Sequence, residues 1–398
     1  MQGNNEQKED MRMEKTKQSG FKRFMSGYGI VILTGLLIGA AAVALSRLGN
    51  PKNMGFCIAC FLRDIAGTTK LHNAHAVQYF RPEIVGLVIG AMIWAMIKKE
   101  WKPTGGSSPV TRFFIGAFVM IGALVFLGCP LRMVIRIGGG DLNALIGLVG
   151  FIVGIVIGTV PLRLGFSLNR AYKQSRVEGL ILPIMLTGLF ILFLAVPALF
   201  EKSVDFEDKG PGKAFAPWFI ALTIALVIGA FCQQSRLCMA GGIRDVVLFK
   251  DFRLISGFAA IIVAVLLGNL ILGNFTAPDG APNALRFTFE GQPIAHSDGW
   301  MNFLGMLIVG YGSVLLGGCP LRQLILTGEG NSDSGITVLG YIAGAAFAHN
   351  FGLAGTADAT VDGTFTRGSA SVNAIYVLIT AFVIFTLIAI FNTKRRKA

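Results

Sequence analysis

Ten apolar runs separated by short polar breaks dominate the chain. They cover about residues 28–46, 83–97, 113–127, 144–161, 179–200, 217–232, 254–272, 301–317, 336–353 and 373–392. A helix needs roughly 20 apolar residues to cross the hydrocarbon core of a bilayer, and several of these runs are shorter than that. The pattern predicts an all-α polytopic membrane protein with about ten transmembrane helices.

Composition agrees with a lipid environment. Of the 398 residues, 53% are hydrophobic and 14% are charged, and the mean hydropathy is +0.65. Soluble domains carry about 25% charged residues, so a soluble protein of this length is excluded.

The net charge of +13 is concentrated in a few polar breaks. With ten crossings, every basic cluster falls on the side of the two termini, and the acidic or neutral breaks at 201–210 and 353–363 fall on the other. Basic loops stay in the cytoplasm. We therefore expect a multi-pass protein of the cell inner (plasma) membrane with both termini cytoplasmic, and we expect no nucleic-acid partner. The basic clusters lie at Lys8–Arg23, Lys98–Arg112, Arg163–Arg176, Arg236–Arg253 and Lys394–Lys397.

Two cysteine motifs occur twice in the same order. "GCPLR" occurs at Gly128–Arg132 and Gly318–Arg322, and "CIACFLRD" at Cys57–Asp64 aligns with "CMAGGIRD" at Cys238–Asp245. The recurrence of two motifs in the same order predicts an internal duplication of the chain. With one helix between the units, the second unit is inverted in the membrane, as in many secondary transporters. The predicted organisation is a cytoplasmic tail (1–27), repeat 1 (28–161), a linker with one connecting helix (162–216), repeat 2 (217–353), and a last helix with a basic tail (354–398).

The "GCPLR" motif predicts a short helix entered at a cysteine. Proline favours the first helical position, so Pro130 and Pro320 should each open a half-helix. Cys129 and Cys319 then occupy the cap, where free backbone N–H groups can bind an anion. The arginines of the motif follow three residues later, near the same helix face as the cysteine; they are Arg132 and Arg322.

The other repeated motif predicts two more half-helices, entered at Cys57 and Cys238, which line a central waist with the first two. Each carries an arginine–aspartate pair that forms either an internal ion pair or a part of the substrate path, and the sequence leaves both open. These secondary candidates are Arg63, Asp64, Arg244 and Asp245, together with Cys60.

A buried thiol is a weak hydrogen-bond donor on a soft, polarizable atom. We therefore predict that Cys57, Cys129, Cys238 and Cys319 are successive contacts for a small anion containing sulfur or selenium. The alternative is that these cysteines only fill core space, which is the interpretation favoured for Cys232.

The repeated "GCPLR", the segment "GFCIACFLRD" and the duplicated layout resemble the YeeE/YedE sulfur-transport family, and within it the branch associated with selenium metabolism. The resemblance extends over about 28–392. It implies uptake of a thiosulfate-like anion or a selenium compound through an hourglass-shaped membrane protein with central cysteines, which correspond to Cys57, Cys129, Cys238 and Cys319. Cys60 and Cys232 have no counterpart in the other repeat. The resemblance also implies a cytosolic partner protein that receives the sulfur or selenium compound.

Two other classes of protein compete with a transporter. Cys57 and Cys60 form a C-x-x-C, which in a membrane thiol-disulfide oxidoreductase would be a redox pair. Cys57, Cys60, His72 and His75 have a spacing similar to a zinc site. The repeat lacks the second cysteine and both histidines, so we expect no enzyme, no cofactor and no metal.

Overall fold

The computed structural model describes residues 25–207, 210–275, 286–361 and 364–393. The basic tail before residue 25 and the lysine-rich segment 394–398 lie outside the described residues. The expectation of cytoplasmic tails therefore concerns segments that are not described.

Helices make up most of the described chain, and they fall into two length classes. Ten helices have 16 to 21 residues, and four have nine or eleven. The long helices are α1 (Ile30–Arg47, after a π-helical turn at Met25–Gly29), α3 (Pro82–Ile97), α4 (Pro109–Val125), α6 (Asn143–Arg163), α7 (Arg176–Ala195), α8 (Trp218–Ser235), α10 (Arg253–Ile271), α11 (Gly299–Leu316), α13 (Ser332–Asn350) and α14 (Val372–Phe391). The short ones are α2 (Ile58–Thr68), α5 (Pro130–Gly138), α9 (Met239–Phe249) and α12 (Pro320–Gly328).

The predicted class, an all-α polytopic membrane protein, is confirmed. Each of the ten apolar runs coincides with one long helix, and in the described part of the chain nine segments are long and apolar enough to span a membrane. Helix α13 is the long helix that is not among these nine segments, and it carries polar residues such as Asp333 and Asn350. Helix α7 ends at Ala195, five residues before the predicted end, because the residue before Pro197 is disfavoured in a helix.

The strands are short and lie in the loops. Strand β1 (Thr104–Gly105) pairs with β2 (Tyr172–Lys173), and β3 (Ala359–Val361) pairs with β4 (Thr364–Thr366), both antiparallel.

Helices of the two predicted repeats pack against each other reciprocally. Helix α1 packs on α10 and α8 packs on α3; likewise α4 packs on α13 and α11 packs on α6. The first long helix of each repeat therefore contacts the second long helix of the other repeat. The third long helix of each repeat contacts the fourth of the other, so the exchange holds in both directions. Reciprocal contacts of this kind arise when two like units are related by a two-fold axis.

Glycines make these contacts close. A Cβ at Gly150 would clash with the Phe303 carbonyl oxygen, and a Cβ at Gly340, 190 residues later, would clash with that of Phe113, which is 190 residues before Phe303. Gly154 and Gly344 repeat the relation against Leu307 and Ala117. Small residues allow helix backbones to approach in a membrane, and the offset of 190 that relates the "GCPLR" motifs also relates these contacts.

The loops gather at two opposite ends of the helix bundle. At one end, the Lys102 N–H donates to the Glu329 carbonyl (3.2 Å), β1 pairs with β2, and Arg236 lies 3.8 Å from Glu100. At the other end, the Thr68 hydroxyl donates to the Glu201 carbonyl. The first end contains the basic loops that the sequence analysis assigned to one side of the membrane.

Candidate functional site

The four repeated cysteines each occupy the N-cap of a short helix. Cys57 precedes α2, Cys129 precedes α5, Cys238 precedes α9 and Cys319 precedes α12. Pro130 and Pro320 stand at the first helical position, as predicted, where their missing N–H costs no hydrogen bond.

Two of the thiols cap their helices directly. Cys57 Sγ accepts from the Cys60 N–H at 3.3 Å, and Cys238 Sγ accepts from the Gly241 N–H at 3.2 Å. These N–H groups are among the orphan donors at the start of a helix. The repeated motif therefore gives the same cap in both copies, whether a cysteine or a glycine stands at the third helical position.

The fold brings the four cysteines together as two pairs, and each pair belongs to one repeat. The first pair is Cys57 and Cys129, whose side chains lie next to each other. The second pair is Cys238 and Cys319, in which the Cys319 backbone N–H donates a hydrogen bond to Cys238 Sγ at 3.4 Å. All four thiols are free and buried. Four helix N-termini thus converge in two places, each with two soft sulfur atoms.

Arg132 is buried beside the first pair. Its Nε donates to the Asn53 carbonyl (2.9 Å), one Nη donates to the Ile294 carbonyl (2.8 Å), and the other donates to the Leu127 carbonyl. The same Nη lies 3.4 Å from Cys60 Sγ. Among the described residues, no carboxylate forms an ion pair with Arg132. A buried cation usually has a partner of opposite charge, so this guanidinium leaves the first pair electrostatically positive.

Arg322, the counterpart of Arg132, has a different environment. Its Nη1 forms an ion pair with Glu329 at 2.8 Å, and its side chain is partly exposed. The two arginines of the repeated motif are therefore not equivalent: the one in repeat 1 is tied to backbone carbonyls, and the one in repeat 2 is neutralised by a carboxylate.

The arginine–aspartate pairs of the other motif form ion pairs in both repeats. Arg63 lies 2.7 Å from Asp64, and Arg244 lies 2.8 Å from Asp245. The structure adds Arg81, which the sequence analysis missed: its Nε lies 2.7 Å from the second Asp64 oxygen. The only sequence signal for it is a charged residue at the start of an apolar run, before Pro82.

A second buried ion pair was also missed. Arg136 lies 2.7 Å from Asp141, and its guanidinium stacks 4.2 Å from the centroid of the Phe126 ring. Arg136 follows Arg132 by one helical turn on α5. Because the repeat has Leu326 at the corresponding position, the repeated motif itself gave no indication of this arginine.

The histidines that suggested a metal site have other partners. His72 Nε2 lies 3.1 Å from the Arg63 carbonyl, and its ring stacks on His349. His75 stacks on Phe206. Across the described ranges, no group of three or more histidine, cysteine, aspartate or glutamate side chains is placed to hold a metal ion.

Comparison with known proteins places this arrangement in context. Residues 234–398, about two-fifths of the chain, match a family model described as sulphur transport. The matched segment contains both cysteines of the second pair. No curated protein matches the chain significantly. Together with the apolar helices, the match supports a membrane transporter of sulfur compounds, in agreement with the sulfur-transport part of the resemblance. The selenium branch stays a prediction.

Proposed function

We propose that this protein takes up a small anion containing sulfur or selenium, which passes the first and then the second cysteine pair on its way to the cytoplasm. The observation that carries the proposal is the pairing of four free, buried thiols at four helix N-termini, beside a buried arginine that has no carboxylate partner among the described residues.

Each component suits an anion in transit. Helix N-termini carry partial positive charge and free N–H groups, and Arg132 adds a full charge to the first pair. The thiols are weak donors on polarizable atoms, so they match a terminal sulfur or selenium atom without holding it tightly. The second pair, whose arginine is already neutralised by Glu329, binds an anion less strongly and favours its release.

The inverted arrangement of the repeats is part of the proposal. The reciprocal helix contacts support a two-fold relation, and the gathering of basic loops at one end supports a cytoplasmic location for that end. Under this topology the first pair lies toward the outside and the second toward the cytoplasm. A cytosolic protein that binds the sulfur or selenium compound would then meet it at the second pair.

Uptake into vesicles tests the function. We expect vesicles containing the purified protein to accumulate labelled thiosulfate or selenite, and the double variant Cys129→Ala, Cys319→Ala to lose this uptake. Cys232→Ala is the matched control, because Cys232 is a buried cysteine outside both pairs. Full uptake by the double variant would show that the cysteines only fill space. No uptake of either anion by the unmodified protein would refute the proposed substrates.

Labelling tests the topology. Val204 and Tyr172 are exposed at opposite ends of the bundle, and the six native cysteines are buried. In intact cells, we expect an impermeant maleimide to label Val204→Cys but to label Tyr172→Cys only after the membrane is permeabilised. The reverse result would mean that the second pair faces outward, and labelling of both variants from one side would contradict the topology.

A further inference from the structure

One buried hydroxyl lies near both cysteine pairs. Tyr341 is in the middle of α13, and its side chain is 1% exposed. It lies within electrostatic range of Cys129 in the first pair and of Cys238 and Cys319 in the second. Helix α13 packs on both α2 and α12, which begin at cysteines of different pairs. The helix that carries Tyr341 therefore joins the surroundings of the two pairs.

The Tyr341 hydroxyl has no hydrogen-bond partner among the described residues. Buried hydroxyl groups are nearly always hydrogen-bonded, because leaving one unpaired costs free energy that water would otherwise supply. An orphaned hydroxyl in a native interior therefore needs an explanation, and a polar ligand that accepts its hydrogen bond provides one.

The repeat shows that packing does not require this hydroxyl. At the offset of 190, Tyr341 corresponds to Phe151, which is fully buried on α6. The glycines that set the backbone around each ring also correspond, since Gly150 and Gly154 match Gly340 and Gly344 in both spacing and contacts. A phenyl ring thus fills the equivalent site in repeat 1, and the oxygen in repeat 2 adds polarity alone.

We propose that the Tyr341 hydroxyl donates a hydrogen bond to an oxygen atom of the transported anion as the anion passes from one cysteine pair to the other. This inference rests on the proposed function and narrows its substrate class. The thiols contact a soft sulfur or selenium atom, whereas a tyrosine hydroxyl is a strong donor suited to a charged oxygen. A substrate that uses both is a sulfur or selenium oxyanion, and thiosulfate carries a soft terminal sulfur together with charged oxygen atoms.

Tyr341→Phe tests the inference with little change in shape. Loss of a hydrogen bond to a charged group should lower kcat/KM for thiosulfate uptake at least about tenfold. We also expect thiosulfate to raise the melting temperature of the unmodified protein, and to raise that of Tyr341→Phe by less at the same concentration. Tyr311→Phe is the matched control: Tyr311 is also buried, but its hydroxyl lies beside Thr386 on α14 and is not among the unpartnered buried groups of the described residues. We expect this variant to transport thiosulfate like the unmodified protein.

The outcomes separate the inference from the function it rests on. If the unmodified protein transports thiosulfate and Tyr341→Phe does so equally well, the inference is wrong and the proposed function stands. A second outcome is that Tyr341→Phe loses transport and, without thiosulfate, also melts well below the melting temperature of Tyr311→Phe. The hydroxyl then stabilises the fold, and the inference is again wrong. If the unmodified protein transports no oxyanion, the proposed function and the inference both fail.

Discussion

The buried ion pairs of the two repeats allow a matched test of electrostatic stability. In repeat 1, Asp64 bonds both Arg63 and Arg81, and all three side chains are at most 2% exposed. In repeat 2, the corresponding Asp245 has one arginine partner, and the side chains of Arg244 and Asp245 are 29% and 20% exposed. The substitution Asp64→Asn removes one negative charge and leaves two buried guanidinium groups without a counter-charge.

The structure sets the expected size of each effect. Removing one partner of a fully buried ion pair costs about 3–5 kcal/mol, because the remaining charge stays desolvated. A pair that is partly exposed contributes only about 0–1 kcal/mol, because water screens it. We therefore expect Asp64→Asn to lower the free energy of unfolding several-fold more than Asp245→Asn does.

Unfolding in detergent micelles, followed by circular dichroism as denaturant is added, provides the measurement. Both variants keep the side-chain shape, so a difference between them reports the charge and its burial. Equal destabilisation by the two substitutions would refute the reasoning, because it would mean that burial does not control the cost of removing the carboxylate.

Two further predictions follow from close packing and from a buried histidine. We expect Gly154→Ala and Gly344→Ala each to destabilise the protein by about 1–3 kcal/mol in the same unfolding experiment, because each new Cβ would clash with a carbonyl oxygen. Gly188→Ala is the control and should leave the stability unchanged, since the space around Gly188 is open. Burial lowers the pKa of His296 below its ordinary value of 6.5. Because the unfolded chain then binds more protons than the folded one, stability is present above that value and is lost as the pH falls below it. The protection of the amides in 286–298 against hydrogen exchange, expressed relative to the intrinsic exchange rate at each pH, should therefore fall from about pH 7.5 to about pH 5.5, and unchanged protection would contradict this account.

The sequence by itself determined the membrane class, the long helices and the helix starts at the four cysteines. These features are local: an apolar run of sufficient length forms a helix in lipid, and a proline after a cysteine begins one regardless of what packs against it. The two copies of "GCPLR" also indicated the offset of 190 that later relates the glycine contacts. For α13, the sequence indicated the helix even though its polar residues weaken the hydropathy signal.

Only the tertiary structure decided which side chains meet. The pairing of Cys57 with Cys129 joins residues 72 positions apart, and the contact of Arg132 with Cys60 depends on how α5 lies against α2. The orphaned Tyr341 hydroxyl is invisible in the sequence, where a tyrosine in an apolar helix is an ordinary packing residue. Hydrogen bonds and desolvation depend on distances of a few ångströms between segments that are remote in the chain, so their partners emerge only when the helices have packed.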